Sequence, residues 1–359
     1  MSTNENKDKK AEVTALQAIS AEDRKDWISL AFVQAGICVC VPAFLLGALL
    51  AEAMPIWPAI ISGSLGYLIV VVGMVATGMI GCDLGLASCT CCQAGFGKSG
   101  ARFIVSTIFA VNMIGWFGIQ NGVCGEAFSN AMLAMTGWDI PVVVSNTIWG
   151  IIMLLTAVYG VHALEKLDKI SIPLLMIIMC YGTFLAFKVY GTGNLNDEGT
   201  VQSMSFMSGV ALSFNFTAVG TITGPDYTRF QKSRKDTVKS VFYGVFPMGV
   251  ITLIMGIVLT KLSGQYDISM VLIEVGLPLL GIIALVISTW TTNSTNAYSA
   301  GLNIVMALKL KDNRRREATL ISGIVGIVLC DLGILGHVEG VLSLLSYVVC
   351  PVGGVILAD

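Results

Sequence analysis

Residues 34–42 read QAGICVCVP, and residues 213–225 read SFNFTAVGTITGP. Each stretch interrupts an apolar run with glycine, a polar side chain and then proline. Glycine frees the backbone, while proline withdraws an N–H and crowds the carbonyl one turn back, so a helix is expected to break at either place. Gly36 falls near the centre of the first apolar run, with Pro42 one or two turns beyond. Asn215 and Phe216 fall at the centre of the sixth, ahead of a Gly- and Thr-rich segment closed by Pro225. Two interrupted segments five runs apart are the sequence pointer to an inverted repeat of two five-helix halves. Unwound backbone at membrane depth is tolerated only where it lines a cavity, and there it offers carbonyls to a cation and donors to a ligand.

That the runs cross a membrane follows from composition. The chain has 359 residues, 55% hydrophobic and 12% charged, with a mean hydropathy of +0.80. Soluble domains carry about 25% charge. Spans are expected at 27–50, 55–81, 102–133, 140–160, 170–190, 206–225, 240–262, 277–308, 317–335 and 338–357. Runs of roughly 20 apolar residues are helices, because barrel strands would alternate over about 10. The expected fold is therefore an all-α integral membrane protein: residues 1–26 a partly disordered cytoplasmic tail, 27–190 the first repeat and 206–357 the second. The tail has no apolar segment and is not a signal peptide. The net charge of −2 says nothing of partners, because the charges are segregated along the chain; no nucleic-acid partner is expected, and no obligate protein partner is evident. The chain stops at Asp359 without a polar tail, as a piece of a longer protein would.

Basic residues orient the bundle. Lys7, Lys9, Lys10, Arg24 and Lys25 lie in the tail, Lys98 and Arg102 in loop 2–3, and Lys166 and Lys169 in loop 4–5. Arg229, Lys232, Arg234, Lys235 and Lys239 lie in loop 6–7, and Lys309, Lys311, Arg314, Arg315 and Arg316 in loop 8–9. With ten spans, 19 of the 21 Lys and Arg residues share one side, and only Lys188 and Lys261 lie on the other. This places both termini in the cytoplasm and the protein in a cell inner membrane.

The span centres lack Lys, Arg, Asp, Glu and His. Glu52, Glu126, Asp226, Asp331 and Glu339 fall near span ends, as do His162 and His337. Carriers of charged solutes keep an ionisable group at depth, so a small neutral cargo is expected, with any coupled cation held by carbonyls and hydroxyls, a donor set that suits Na⁺. Polar residues do gather there. STWTTNSTNAYSAG at 288–301 places Ser288, Thr291, Thr292, Asn293 and Asn296 around the centre of span 8; the first three share a helix face. Trp116 is central in span 3, with Gln120 one turn along. Each residue has a blander reading: Ser and Thr bond back to their own helix or glue neighbours, glycine faces pack closely, and tryptophan anchors at the interface. The coincidence of all four sets in depth favours a site. Cys89, Cys91 and Cys92 lack the further ligands of a zinc site, so packing or acylation is expected. Asp226 is expected to cap or tether the end of span 6.

At these same residues the chain resembles the nucleobase:cation symporters, and within them the cytosine permease branch. GWFG at 115–118, WTTN at 290–293, DYTRF at 226–230 and PVGGVILAD at 351–359 carry the likeness, in matching order along nearly the whole chain. The resemblance implies the five-plus-five inverted-repeat fold, alternating access and, in many members, Na⁺ coupling. It implies a heterocycle sandwiched between Trp116 and Phe216, its edge read by amides among Gln120, Asn215, Asn293 and Asn296. It also implies a cation site on the Gly36 and Val39 carbonyls with Ser288, Thr291 and Thr292. Met113 replaces the cytosine branch's glutamine, Gln120 follows the hydantoin and allantoin pattern, Asn215 replaces a serine, and Ser288 an asparagine. Full-length members carry two further spans. The expectation is a non-enzymatic, Na⁺-coupled importer of cytosine or a related nucleobase. Hydantoin, allantoin or a purine, with H⁺ coupling, is the alternative, and a non-transporting membrane sensor is a second.

Overall fold

The first apolar run folds as two helices, Trp27–Cys38 and Val41–Ala53, bent by 52° to one another. The computed structural model describes residues 17–159, 161–195, 203–265, 268–311 and 314–358. Lys7, Lys9, Lys10, Asp359 and the side chains of His162 and Glu339 lie outside the described residues. The break in span 1 comes three residues after Gly36. Val39 (φ −87°, ψ 74°) and Cys40 (φ −140°, ψ 157°) leave the helical region. Pro42 then sits in the first turn of the second helix, where a missing N–H removes no intrahelical bond.

Span 6 behaves differently. Its segments Phe206–Thr217 and Gly220–Thr228 are separated by Ala218 and Val219, which keep helical angles. The two run together as one apolar helix of 23 residues. The interruption is a tight turn rather than unwound backbone: Thr221 N–H reaches the Ala218 carbonyl at 3.0 Å. Pro225 cannot donate to the Thr221 carbonyl one turn back, and the Thr77 hydroxyl of span 2 donates to it instead at 2.7 Å.

The remaining expected spans coincide with Ile56–Leu84, Ser106–Thr136, Val142–Tyr159, Val161–Tyr190, Arg234–Ser263, Pro278–Ala307, Arg315–Asp331 and Val338–Ala358. Among the described residues, six helices are long and apolar enough to cross a membrane, and the bent pair makes a seventh. Span 8 carries too many hydroxyls and amides to count by hydropathy, and span 9 has 17 residues. No β-strand occurs among the described residues.

Each interrupted span is sheathed by a glycine-bearing helix of the opposite half. A Cβ on Gly244 of span 7 would lie 2.6 Å from the Ala31 carbonyl oxygen, and one on Gly256 2.6 Å from that of Phe44, so span 7 presses on both halves of span 1. A Cβ on Gly66 of span 2 would lie 2.5 Å from Ser213, and one on Gly81 2.5 Å from Pro225. Small residues permit such backbone approach where lipid supplies no hydrophobic drive between helices. The pairing of span 1 with span 7 and of span 6 with span 2 is the exchange that an inverted repeat of five-span halves produces.

The stretch before span 1 is docked rather than loose over its described part. Ile19 N–H donates to the Gly85 carbonyl at 2.9 Å, and Lys25 N–H to that of Phe230 at 2.6 Å. Asp226 accepts from Ser88 N–H at 2.8 Å and so ties span 6 to the connection after span 2. Cys89 and Cys92 pack with Phe109 and Val349. Burial pushes the Cys89 and Cys91 thiols up to about 12, which keeps them protonated and inert. No group that could hold a metal through three His, Cys, Asp or Glu occurs among the described residues.

Candidate substrate-binding cavity

A cavity of about 80 Å³, room for several water molecules, lies where spans 1, 2, 3, 6, 7 and 8 converge. No side chain that lines it carries a formal charge. Trp116 and Gln120 reach it from one face of span 3, Phe216 from span 6, and Thr292 and Asn296 from one face of span 8. Trp116 is 8% exposed, so its indole faces protein and cavity rather than lipid. Its ring centroid is 5.3 Å from that of Phe216 at an interplanar angle of 75°. A sandwich would need the rings parallel and about 7 Å apart. Here the edge of one closes on the face of the other, and the slot expected between them is shut.

The polar lining is short of partners. Gln120 Oε1 and Asn296 Nδ2 are buried and make no hydrogen bond, and neither do both amide atoms of Gln34. A buried polar group left unmet costs about 1–3 kcal/mol. Several at one cavity mark a place that a polar, uncharged ligand completes.

Asn215 and Asn293 lie elsewhere. Asn215 borders a wider recess of about 520 Å³ at the end of the bundle where span 1 finishes and span 6 begins, together with Glu52, Ser208, Ser343 and one side of Phe216. Its carbonyl accepts from the Ser346 hydroxyl of span 10 at 3.0 Å. Asn293 points the opposite way across span 8 and donates to the Phe117 carbonyl at 3.2 Å. Ser294 donates to the Met153 carbonyl at 3.0 Å and Trp290 Nε1 to Thr156 at 2.9 Å. Span 8 therefore has one polar face that fastens it to spans 3 and 4 and another that borders the cavity.

Of the residues expected at a cation site, the structure joins two. Thr292 Oγ1 donates to the Gly36 carbonyl at 2.8 Å, across the gap between span 8 and the end of the first half of span 1. Val39 stands at the break itself. The Ser288 and Thr291 hydroxyls turn back on span 8, to Leu285 and Ser288 carbonyls, each at 3.0 Å. Asp168, read from sequence as part of a loop, belongs to helix Val161–Tyr190, is 2% exposed, and lies with Oδ1 2.9 Å from where a Cβ on Gly36 would sit. The expectation of no ionisable group near the span centres is thus corrected. The helix starts early enough that Asp168 turns inward while Lys166 and Lys169 stay exposed.

Sequence reasoning also passed over Gln34, Tyr67, Thr223 and Tyr227, all of which line the cavity. For Gln34 the signal was present as an amide inside an apolar run, overshadowed by the glycine two residues on.

Comparison with known proteins agrees with this architecture. A family model described as permease for cytosine/purines, uracil, thiamine, allantoin matches residues 19–359. The cytosine permease of Escherichia coli (strain K12) is 29% identical over 340 residues, which cover 94% of this chain and 78% of that protein. Mhp1, described as a nucleobase-cation-symport-1 family transporter in a closed conformation with bromovinylhydantoin bound, gives a TM-score of 0.82 at 18% identity, over 96% of this chain and 80% of its own. A Na⁺-coupled sialic acid symporter in a substrate-bound outward-open state gives 0.73 at 14% identity, over 96% of this chain and 80% of its own. The two solved structures share the fold, and the family match spans nearly every residue described above. The chain belongs to the family of permeases for cytosine and purines, uracil, thiamine and allantoin.

Proposed function

We propose that this permease is a secondary transporter that imports cytosine or a closely related nucleobase across a cell inner membrane, driven by Na⁺. The observation that carries the cargo class is the uncharged cavity edged by Trp116 and Phe216, with amide atoms left unmet. A planar ring stacks on the indole once Phe216 swings aside, and Gln120 Oε1 and Asn296 Nδ2 supply an acceptor and a donor to its edge. The relative named cytosine permease supports cytosine first; allantoin and purines, in the family's description, stand behind it, as does hydantoin by the likeness to Mhp1.

Na⁺ coupling is supported by the oxygen set at the break in span 1. The Thr292 hydroxyl meets the Gly36 carbonyl there and the Asp168 carboxylate packs against the Cα side of Gly36; carbonyl and hydroxyl are hard donors that suit Na⁺, and a nearby carboxylate offsets its charge. The Thr292–Gly36 hydrogen bond is the contact that the ion replaces. Na⁺ then favours the conformation open at the end where span 1 finishes, cargo binding closes that end, and rocking of the halves opens the other. Reciprocity requires cargo and ion to raise each other's affinity by one common factor. The basic loops assign the Asp26 end of span 1 to the cytoplasm. The repeats run from 27 to 190 and from 206 to 357.

Uptake of radiolabelled cytosine, uracil and allantoin, with and without a Na⁺ gradient, tests both parts. Accumulation of one of them that collapses without the gradient is expected. Trp116→Ala should weaken binding by 10-fold or more, since stacking on a base contributes about 1–3 kcal/mol. Binding without accumulation would instead identify a sensor, and accumulation driven by a pH gradient alone would identify H⁺ coupling.

A further inference from the structure

We infer that Gln34 is a cargo-reading residue, which recognises a hydrogen-bonding edge of the ring separate from the edge met by Gln120 and Asn296. The inference rests on the cargo class proposed above and deepens it: the cargo carries polar groups on two edges.

Gln34 is fully buried, lines the cavity, and leaves both Nε2 and Oε1 without a hydrogen-bond partner. It lies in the first half of span 1, five residues before the break at Val39, and its Cβ stands 3.1 Å from where a Cβ on Gly244 would be. Span 7 thus closes over the base of this side chain because position 244 carries none. The amide at the tip is held in place by packing, without being satisfied by it.

Asn121, Asn293 and Asn303 meet a carbonyl through their Nδ2 atoms, whereas Gln34, like Gln231 away from the cavity, meets none, and of the two glutamines only Gln34 borders the cavity. A leucine of similar volume would serve an apolar wall better, since an unmet amide in a dry site carries the full cost of its lost hydration. The arrangement is accounted for when something polar enters. One acceptor and two donors in a plane complement a lactam or amidine edge. Gln34 reaches the cavity from span 1, whereas Gln120 comes from span 3 and Asn296 from span 8. Amides that enter from three different spans are met together most readily by a ring with polar groups on more than one edge.

The test uses the full chain in detergent, titrated calorimetrically with cytosine, uracil and allantoin, and with 2-pyridone as a one-edge comparator. Wild type and Gln34→Leu are compared for affinity and for thermal unfolding without ligand, with Gln34→Met as a second variant. Gln34→Leu should lower the affinity for the bound nucleobase or cyclic amide by roughly 10- to 100-fold. The same variant should change affinity for 2-pyridone by less than about 3-fold and unfold at the wild-type temperature or above it. Unchanged affinity for the two-edged ligand overturns the inference while leaving the cargo class intact. So does an equal loss for every probe accompanied by a lower unfolding temperature, or failure of both variants to fold, since each assigns Gln34 to structure. Absence of any binding by the wild type overturns the nucleobase reading and this inference with it.

Discussion

Spans 1 and 6 hold corresponding places in the two halves, and both carry glycine ahead of proline, yet one is bent by 52° while the other runs on as a single helix. The difference lies in what meets the freed backbone groups. In span 6 the carbonyl that Pro225 cannot serve is taken by Thr77, and Ser213 and Thr228 donate to the Gly63 and Gly78 carbonyls of span 2 at 2.7 and 2.8 Å. Spans 2 and 6 are fastened along their length. In span 1 proline starts a new helix, so the end of the preceding one offers carbonyls to whatever lies opposite. The Thr292 hydroxyl fills that role for Gly36. The same breaker residues thus give a rigid strut in one half and a replaceable contact in the other.

Prising span 1 from its support should have the largest effect. Gly256→Leu would drive a side chain into the Phe44 carbonyl, 2.6 Å from the Cβ position, where backbone cannot yield. A loss of about 3 kcal/mol or more is expected, visible as poor monodispersity and early thermal unfolding in detergent. Thr292→Val sharpens the contrast at the break. It should raise the Na⁺ concentration for half-maximal uptake about 10-fold while lowering stability by no more than about 1 kcal/mol. An unchanged Na⁺ response would remove the cation site from span 1. Thr77→Val strips span 6 of its substitute donor; a loss of about 0.6–1.7 kcal/mol with an unaltered Na⁺ response is expected, measured by unfolding and uptake together.

The smallest effect concerns the start of span 1. The Ser29 N–H, donated to Asp26 at 3.1 Å, holds this carboxyl below its ordinary value of 3.8. The ionised cap therefore contributes its full stability above that value and loses it as pH falls through the lower folded-state value. Asp26→Ala should cost at most about 1 kcal/mol at neutral pH, because the cap is exposed, and the deficit relative to wild type should vanish in strong acid.

Helix order and the site of the break in span 1 were legible because run length and proline position act locally. The bend itself was legible; its absence in span 6 was not, since it depends on a hydroxyl 144 residues away. Asp168 escaped notice because Lys166 and Lys169 beside it read as a solvated loop, and only a helix running through them turns the carboxylate toward Gly36. Asn293 and Asn296 look alike in sequence. Which of them meets the cavity depends on where spans 3 and 4 press against span 8, a tertiary fact that residue spacing does not contain. Trp116 and Gln120, one turn apart on a single helix, were readable together for that reason.

Phe216 borders both the central cavity and the wider recess beside Asn215. Its ring therefore forms part of the partition between the two chambers. A χ rotation of this phenyl group would thin that partition without parting two packed helices. Access to the central cavity from that end is thus expected to wait on a side chain rather than on a helix.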